Sequence, residues 1–338
     1  MNKELKILAV VVFFSIVVYI GVEPYAHSQM HKHTEFHNFA YDGSSDIEEV
    51  EEKIQKAKEE KHDTSALEKK LEEKKAFWAS VKKIAALKGD ASAGEKSFAT
   101  CLGCHNGSGV NMGGVVPPSL DHAGSLYDKN YLIALIKNPA MASNVDHKYK
   151  DTALHPMGSI SSMITSDQDI ANIVAFLKEK KSGEISNKQA FVDACGRCHA
   201  NRYGKWTLAG FIPKTKSDIT TGVDLDAMKF QEKVANEKLA VAKYLGKLPP
   251  DLSIIIRSRG EHFLKTFIED PQSQLLGTAM PRTGLTSEGY EKVIGYLERT
   301  GDAKKPNRDA LGWKVILYFI IFSIFAYLWK QSVWSKLH

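Results

Sequence analysis

The 338-residue sequence has only four cysteines, and they fall in two close pairs that leave none over for a structural disulfide or a free thiol. It lacks an arginine-rich face with interleaved aromatics, so no nucleic-acid partner is expected. Nor is the charge extreme: the net value of +5 is a mild excess, carried mostly by lysine. A charge of that size assists docking to an acidic protein face or to anionic lipid. Long apolar runs are missing from the body of the chain and sit only near its ends, at Ile7 to Val22 and roughly Leu311 to Trp329. The length allows two or three compact units, since domains commonly run to about 100–200 residues.

What the sequence does have is a doubled motif. The cysteines stand as Cys101-Leu102-Gly103-Cys104-His105 and Cys195-Gly196-Arg197-Cys198-His199. A C-x-x-C-H run reads as covalent haem attachment: both thiols add to the haem vinyl groups, and the adjacent imidazole lies under the iron as an axial ligand. A redox C-x-x-C needs no histidine after it and follows a strand of a βαβ unit. A zinc ribbon brings its cysteine pairs within about 15–20 residues, whereas Cys195 follows Cys101 by 94 positions. Two covalently attached haem c groups are therefore expected.

The motifs belong to a longer internal repeat. Pro117-Pro118-Ser119-Leu120 follows the first and Pro249-Pro250-Asp251-Leu252 the second. A shift of 132 residues aligns Tyr131-Leu132 with Phe263-Leu264, Leu135-Ile136 with Phe267-Ile268, and Pro139 with Pro271. Each half then reaches a methionine beside proline, Pro156-Met157 and Met280-Pro281, and closes on an apolar helix, Ile170 to Leu177 and Tyr290 to Leu297.

Each recurring part has a task in a haem pocket. Gly94 and Phe98 before the first motif, and Phe191 before the second, read as apolar positions of a helix that delivers the cysteines. The histidine nitrogen facing away from iron needs an acceptor to fix its tautomer. Proline supplies a carbonyl in a rigid segment, which makes Pro118 and Pro250 the natural acceptors. Leu120 and Leu252 can pack against the porphyrin. A soft thioether suits iron as the sixth ligand and raises the haem potential. Met280 is the candidate in the second half. In the first half, Met157 lies 20 residues before Leu177 and Met163 lies 14 before it, against 17 from Met280 to Leu297. Spacing does not choose between them; the neighbouring proline favours Met157. Met112 and Met141 read as core or loop residues. The axial set is thus His105 with Met157, and His199 with Met280.

In this order of parts each half resembles the class I cytochrome c domain: helix, C-x-x-C-H, P-x-L, helix, methionine, final helix. The resemblance covers about 90–305 and implies a small all-α fold wrapped around haem. The whole chain is then all-α, two tandem class I cytochrome c domains with a transmembrane helix at each end and a helical stalk. The expected divisions are an N-terminal anchor at 1–22, a charged stalk at 23–88, a first domain at 89–182, a second at 183–305 and a C-terminal anchor at 306–338.

Ile7 to Val22 follows Lys3 and Lys6, as in a secretory signal, yet Gly21 to Ala26 offers no small-residue cleavage match, so an uncleaved anchor is expected. Its 16 apolar residues span roughly 24 Å at ~1.5 Å per residue, short of a ~30 Å hydrocarbon core. The C-terminal run has aromatic ends at Trp313, Tyr327, Trp329 and Trp334. Because haem is attached to c-type cytochromes outside the cytoplasm, the segment between the anchors is expected in the periplasm of a bacterial inner membrane, with both termini cytoplasmic. Lys3, Lys6, Lys330 and Lys336 agree with the positive-inside tendency; Lys304, Lys305 and Arg308 do not. In the stalk, Ile47, Val50, Ile54 and Ala57 make one helical stripe and Leu67, Leu71, Trp78, Val81 and Ala85 another. Ser65 with Glu68 reads as a capping box. The charge there is expected on a solvated face, although the stripes could seat a partner. The cluster His27, His31, His33 and His37 reads as a wet interfacial run, with metal binding or a quinone-side proton relay as the alternatives.

The second half carries a narrower resemblance. Leu245-Gly246-Lys247-Leu248-Pro249-Pro250-Asp251-Leu252-Ser253, the downstream Arg259-Gly260-Glu261 and an anchor ending in Lys330 and Val333-Trp334-Ser335 are similar to cytochrome c1. So is an enlarged segment, since Pro249 follows His199 by 50 positions while Pro117 follows His105 by 12. Taken whole, the chain resembles the two-haem cytochrome c1 subunit of certain bacterial bc1 complexes. That resemblance implies Rieske iron–sulfur protein and cytochrome b as neighbours. Electrons would pass to a downstream cytochrome c or terminal oxidase, with no catalysis by the chain alone. A two-haem subunit of a cbb3-type oxidase is the alternative within electron transfer; a two-haem peroxidase with one open iron is the alternative of another class.

Overall fold

The computed structural model describes residues 3–26, 37–109, 115–145, 148–180, 185–213 and 225–336. His27, His31, His33 and Met112 lie outside the described residues. Two terminal helices flank a mostly helical body: α1 (Lys3–Ala26) and, at the far end, α16 (Lys305–Trp334). Both are apolar and lie wholly outside the core. At ~1.5 Å per residue the 24 residues of α1 span about 36 Å, longer than the apolar run alone and enough to cross a bilayer. Lys330 Nζ lies 2.5 Å from Glu4 Oε2, so the two helices bring the chain's ends together.

The first haem motif ends helix α4 (Ala91–Leu102), whose start is fixed by Asp90: its carboxylate accepts from the backbone of Ser92 and Ala93 at 2.8 and 3.1 Å. Helices α5 (Ala123–Leu126), α6 (Lys129–Lys137), α7 (Pro139–Ser143) and α8 (Ile160–Met163) follow, and α9 (Asp167–Glu179) returns across α4. The crossing is close because residue 94 is glycine. A Cβ there would stand 2.0 Å from the Asn172 carbonyl oxygen. Phe98 and Phe176 then meet with ring centroids 5.1 Å apart.

The second half repeats this plan. Helix α10 (Asn187–Ala194) runs into the second motif, and Phe191 stacks on Tyr296 of the closing helix at 4.8 Å. The 132-residue offset seen in the sequence recurs in the elements. Here α12 (Ile255–Ser258), α13 (Glu261–Glu269) and α14 (Pro271–Gln274) start 132 residues after α5, α6 and α7. Pro139 and Pro271 both open a helix, where a missing N–H costs nothing. Helix α15 (Ser287–Gly301) closes the half, its Thr286 hydroxyl accepting from Gly289 N at 3.0 Å. The enlarged segment departs from an all-helical body: it holds a two-stranded hairpin, Trp206–Thr207 with Gly210–Phe211, and then α11 (Leu225–Leu245).

The halves share one core. Tyr127 and Leu285 form an antiparallel bridge, with Asp128 N donating to Gly284 O and Thr286 N to Leu126 O, both at 2.8 Å. Gly284, at φ +71°, leaves the room that the Tyr131 ring fills; a Cβ there would come within 1.9 Å of it.

The segment expected to be a stalk also joins this core. Helices α2 (Ser44–Glu59) and α3 (Ser65–Ala85) form a hairpin, and α3 packs on α6 and α9. Trp78, Val81 and Ile84 are buried within the shared core. Ahead of the hairpin, Phe39 meets Tyr290 at 5.0 Å and Tyr41 meets Tyr131 at 5.3 Å. Of the second stripe, Trp78, Val81 and Ala85 are therefore covered by the rest of the chain, while Leu67 and Leu71 stay half-buried. The start of α3 also differs from the expected capping box. Asp63 accepts from Ser65 N at 3.0 Å, and Glu68 accepts from the Thr64 hydroxyl at 3.0 Å, so the cap lies one residue earlier.

Candidate haem-binding sites

The two motifs adopt the same local geometry. His105 N donates to Cys101 O at 2.8 Å and His199 N to Cys195 O at 2.9 Å, folding each C-x-x-C-H run into one turn. That turn sets both thiols and the imidazole beside one another. Each imidazole then gives its Nδ1–H to a proline carbonyl, Pro118 for His105 and Pro250 for His199, both at 2.8 Å. A carbonyl can only accept, so the bond fixes the tautomer and leaves the Nε2 lone pair free for a metal.

Electrostatics agree with this donor set. Burial lowers the pKa of both His105 and His199, which keeps the rings neutral, the form that ligates. Burial raises the thiols of Cys101 and Cys198, and pushes Cys195 up to about 12. All four cysteines are free and half-buried, open enough for a prosthetic group to reach them. The residues present thus fit covalent haem.

Leu120 and Leu252, like Cys101 and Cys195, pack against the shared core. Cys198 belongs to a smaller cluster with Val115, Leu208, Val241, Tyr244, Leu245 and Ala279, the residue before Met280. Helix α11 of the enlarged segment thereby forms one wall beside the second motif. Met280 is half-buried, with its backbone N 3.4 Å from the Thr278 hydroxyl. In the first half, Met157 packs on the core, whereas Met163 is 64% exposed. Met141 is half-buried in the middle of α7.

Three residues that the motifs did not single out join the sites. Arg197, inside the second motif, donates from Nε to Val116 O at 3.1 Å, two residues from the Pro118 that holds His105. The two sites are therefore linked through one side chain. His155, two residues before Met157 and 4% exposed, donates from Nε2 to Tyr244 O at 3.1 Å, tying the first methionine loop to α11. Arg282, two residues after Met280, is buried between two carboxylates. The bonds of His155 and Arg197 and the Arg282–Asp46 pair span 89, 81 and 236 positions, so no local spacing announces them; Asp270 alone is near, 12 positions from Arg282.

The family model for cytochrome c matches residues 91–181. This stretch, the first of the two halves, is similar to cytochrome c domains, which carry covalent haem c and transfer electrons. The chain is also similar to the ammonia monooxygenase gamma subunit of Nitrosomonas europaea: 24% identical over 190 residues, covering 44% of this chain and 81% of that protein. No solved structure matches significantly.

Proposed function

We propose that the chain is a membrane-anchored two-haem cytochrome. It takes electrons singly from the Rieske iron–sulfur protein of a bc1 complex and hands them to a downstream cytochrome or terminal oxidase. The observation that carries the two-haem reading is the duplicate geometry at His105 and His199. Each ring gives Nδ1–H to a proline carbonyl at 2.8 Å and keeps Nε2 free, beside a cysteine pair. One local arrangement, built twice at unrelated loop lengths, argues for one chemistry built twice.

Bound haem would supply one-electron iron chemistry. The chain's residues anchor it through Cys101/Cys104 and Cys195/Cys198, orient His105 and His199 through their prolines, and offer Met157 and Met280 as thioethers. No nucleophile or general base is required of the polypeptide. The cytochrome c1-like run favours Rieske protein and cytochrome b as neighbours, and the likeness to a subunit of a larger enzyme favours work inside an assembly. The Glu4–Lys330 pair supports a topology with both termini on one side and the haem halves together on the periplasmic side.

Denatured protein should retain two haems per chain in a haem assay. Native purification should bring cytochrome b and a Rieske protein with it. One haem per chain would remove the second site; two haems with oxidase subunits in place of cytochrome b would replace the bc1 assignment.

A further inference from the structure

Arg282 is separated from Met280 by Pro281 alone. Its side chain is 3% exposed and reaches two distant parts of the chain. Nη2 donates to Asp46 Oδ1 at 2.7 Å and to Asp270 Oδ2 at 2.5 Å, while Nη1 donates to Asp46 Oδ2 at 3.3 Å. Asp46 comes from the N-terminal hairpin, 236 positions away, and is itself 1% exposed. Its carboxylate also accepts from Trp78 Nε1 at 2.7 Å and lies 3.5 Å from Lys74 Nζ. Asp46 and Asp270 thus face Arg282 and Lys74, and Lys74 also lies 4.0 Å from Glu49 Oε2.

The backbone of Arg282 is held as firmly. Its N–H donates to Ser143 O at 3.0 Å, and its carbonyl accepts from the Tyr131 hydroxyl at 2.8 Å. Residue 282 is thus fixed by the hairpin, by the start of α14 and by the first haem half. Pro281 has a restricted φ, so little freedom remains between this anchor and Met280.

A buried ion network is a poor source of stability, because desolvation offsets most of the attraction; what it supplies reliably is fixed geometry. Fixed geometry matters most for a soft thioether ligand, which competes with water and works only if its support holds it within about 0.5 Å. We propose that Arg282 is a positioning residue for Met280, and that Asp46 makes the N-terminal hairpin part of the second haem site. This rests on the reading of Met280 as sixth ligand of a second haem.

The test uses full-length, haem-loaded protein in detergent. The readouts are haem content, the weak far-red band of methionine-ligated ferric haem, both midpoint potentials and the thermal midpoint. Met280→Ala identifies the second site's share of the band and its potential. Asp46→Asn and Arg282→Lys should keep two haems, lose most of that share and lower that potential. Ile54→Ala, a buried hairpin position about two helical turns beyond Asp46, should lower the thermal midpoint and leave both spectroscopic readouts unchanged. If the Asp46 and Arg282 variants lower only the thermal midpoint, the network is structural and the proposal fails. Should Asp46→Asn not assemble, Trp78→Phe removes the indole bond to Asp46 while keeping an aromatic ring in the core, and an unchanged band there overturns the proposal. A wild-type chain with one haem, or a silent Met280→Ala, would instead remove the ligand reading on which the proposal stands.

Discussion

Asp46 shows how far residue chemistry here depends on distant partners. Burial raises its pKa, yet the charges of Arg282 and Lys74, with the hydrogen bonds from Arg282 and Trp78, outweigh that and hold it at about 2. A carboxylate depressed in the folded state contributes stability that is complete above about pH 4 and is lost as pH falls towards 2. From the depression, that contribution is on the order of 2 kcal/mol. Asp46→Asn should therefore flatten the acid limb of the stability curve between about pH 4 and 2 in denaturant titrations. It should also cost a few kcal/mol, roughly 3–5, at neutral pH by leaving Arg282 half-paired. The two first-half methionines can be separated at the same scale. Met157 packs on the core and Met163 is 64% exposed, so Met157→Ala should lower one haem potential and admit carbon monoxide, while Met163→Ala should change neither. An equal effect from both, or one from Met163→Ala alone, would shift the ligand to the exposed residue. The attachment residues were legible beforehand: each cysteine pair and its histidine lie within five positions, and a Pro-Pro-x-Leu run recurs after both. Asp46, Arg197 and Arg282 were not, because their chemistry exists only after the chain has folded.

Among the elements, the 132-residue offset was legible because it preserves whole helices, from α5, α6 and α7 to α12, α13 and α14. The crossing of α4 with α9 rests on a position that composition hardly marks. A side chain at 94 would meet the Asn172 carbonyl at 2.0 Å. Gly94→Val should thus force the helices apart, destabilise the first half by about 1–3 kcal/mol, and deplete haem at Cys101/Cys104 before the other site. Thermal unfolding and haem content measure both effects; an unchanged midpoint would mean the crossing is looser than this contact implies. The hairpin α2/α3 was legible as two apolar stripes, but a stripe does not say what covers it. Here the cover is the chain itself, through Trp78, Val81 and Ile84. The strand pair at 206–211 went unseen, since two-residue strands leave no alternating pattern to read.

At the scale of the molecule, the halves and the hairpin share a core, so electron order has to be tested without removing a domain. Deleting the first half would strip Tyr131 and Ser143 from Arg282 and expose the shared interface. Within the proposed function, we propose that electrons enter at the second haem, because the cytochrome c1-like run and the directly attached anchor belong to that half. The first half then acts as a tethered substitute for a mobile carrier, and tethering raises the effective concentration of the next step. The Arg197–Val116 bond, at 3.1 Å, ties the second motif to the segment that carries Pro118, the acceptor for His105. Replacing Cys101 and Cys104 with serine should leave the body folded, since neither thiol makes a disulfide, while removing the first haem. In intact complex, the haem at Cys195/Cys198 should then still be reduced by quinol, and onward transfer to the acceptor should cease. Reporter fusions at His338 belong to the same experiment and should be active only in a cytoplasmic format, because a periplasmic end would turn the haem halves away from both redox partners. If the second haem instead stays oxidised in an otherwise intact complex, electrons enter through the first half, and the cytochrome c1-like run serves the exit.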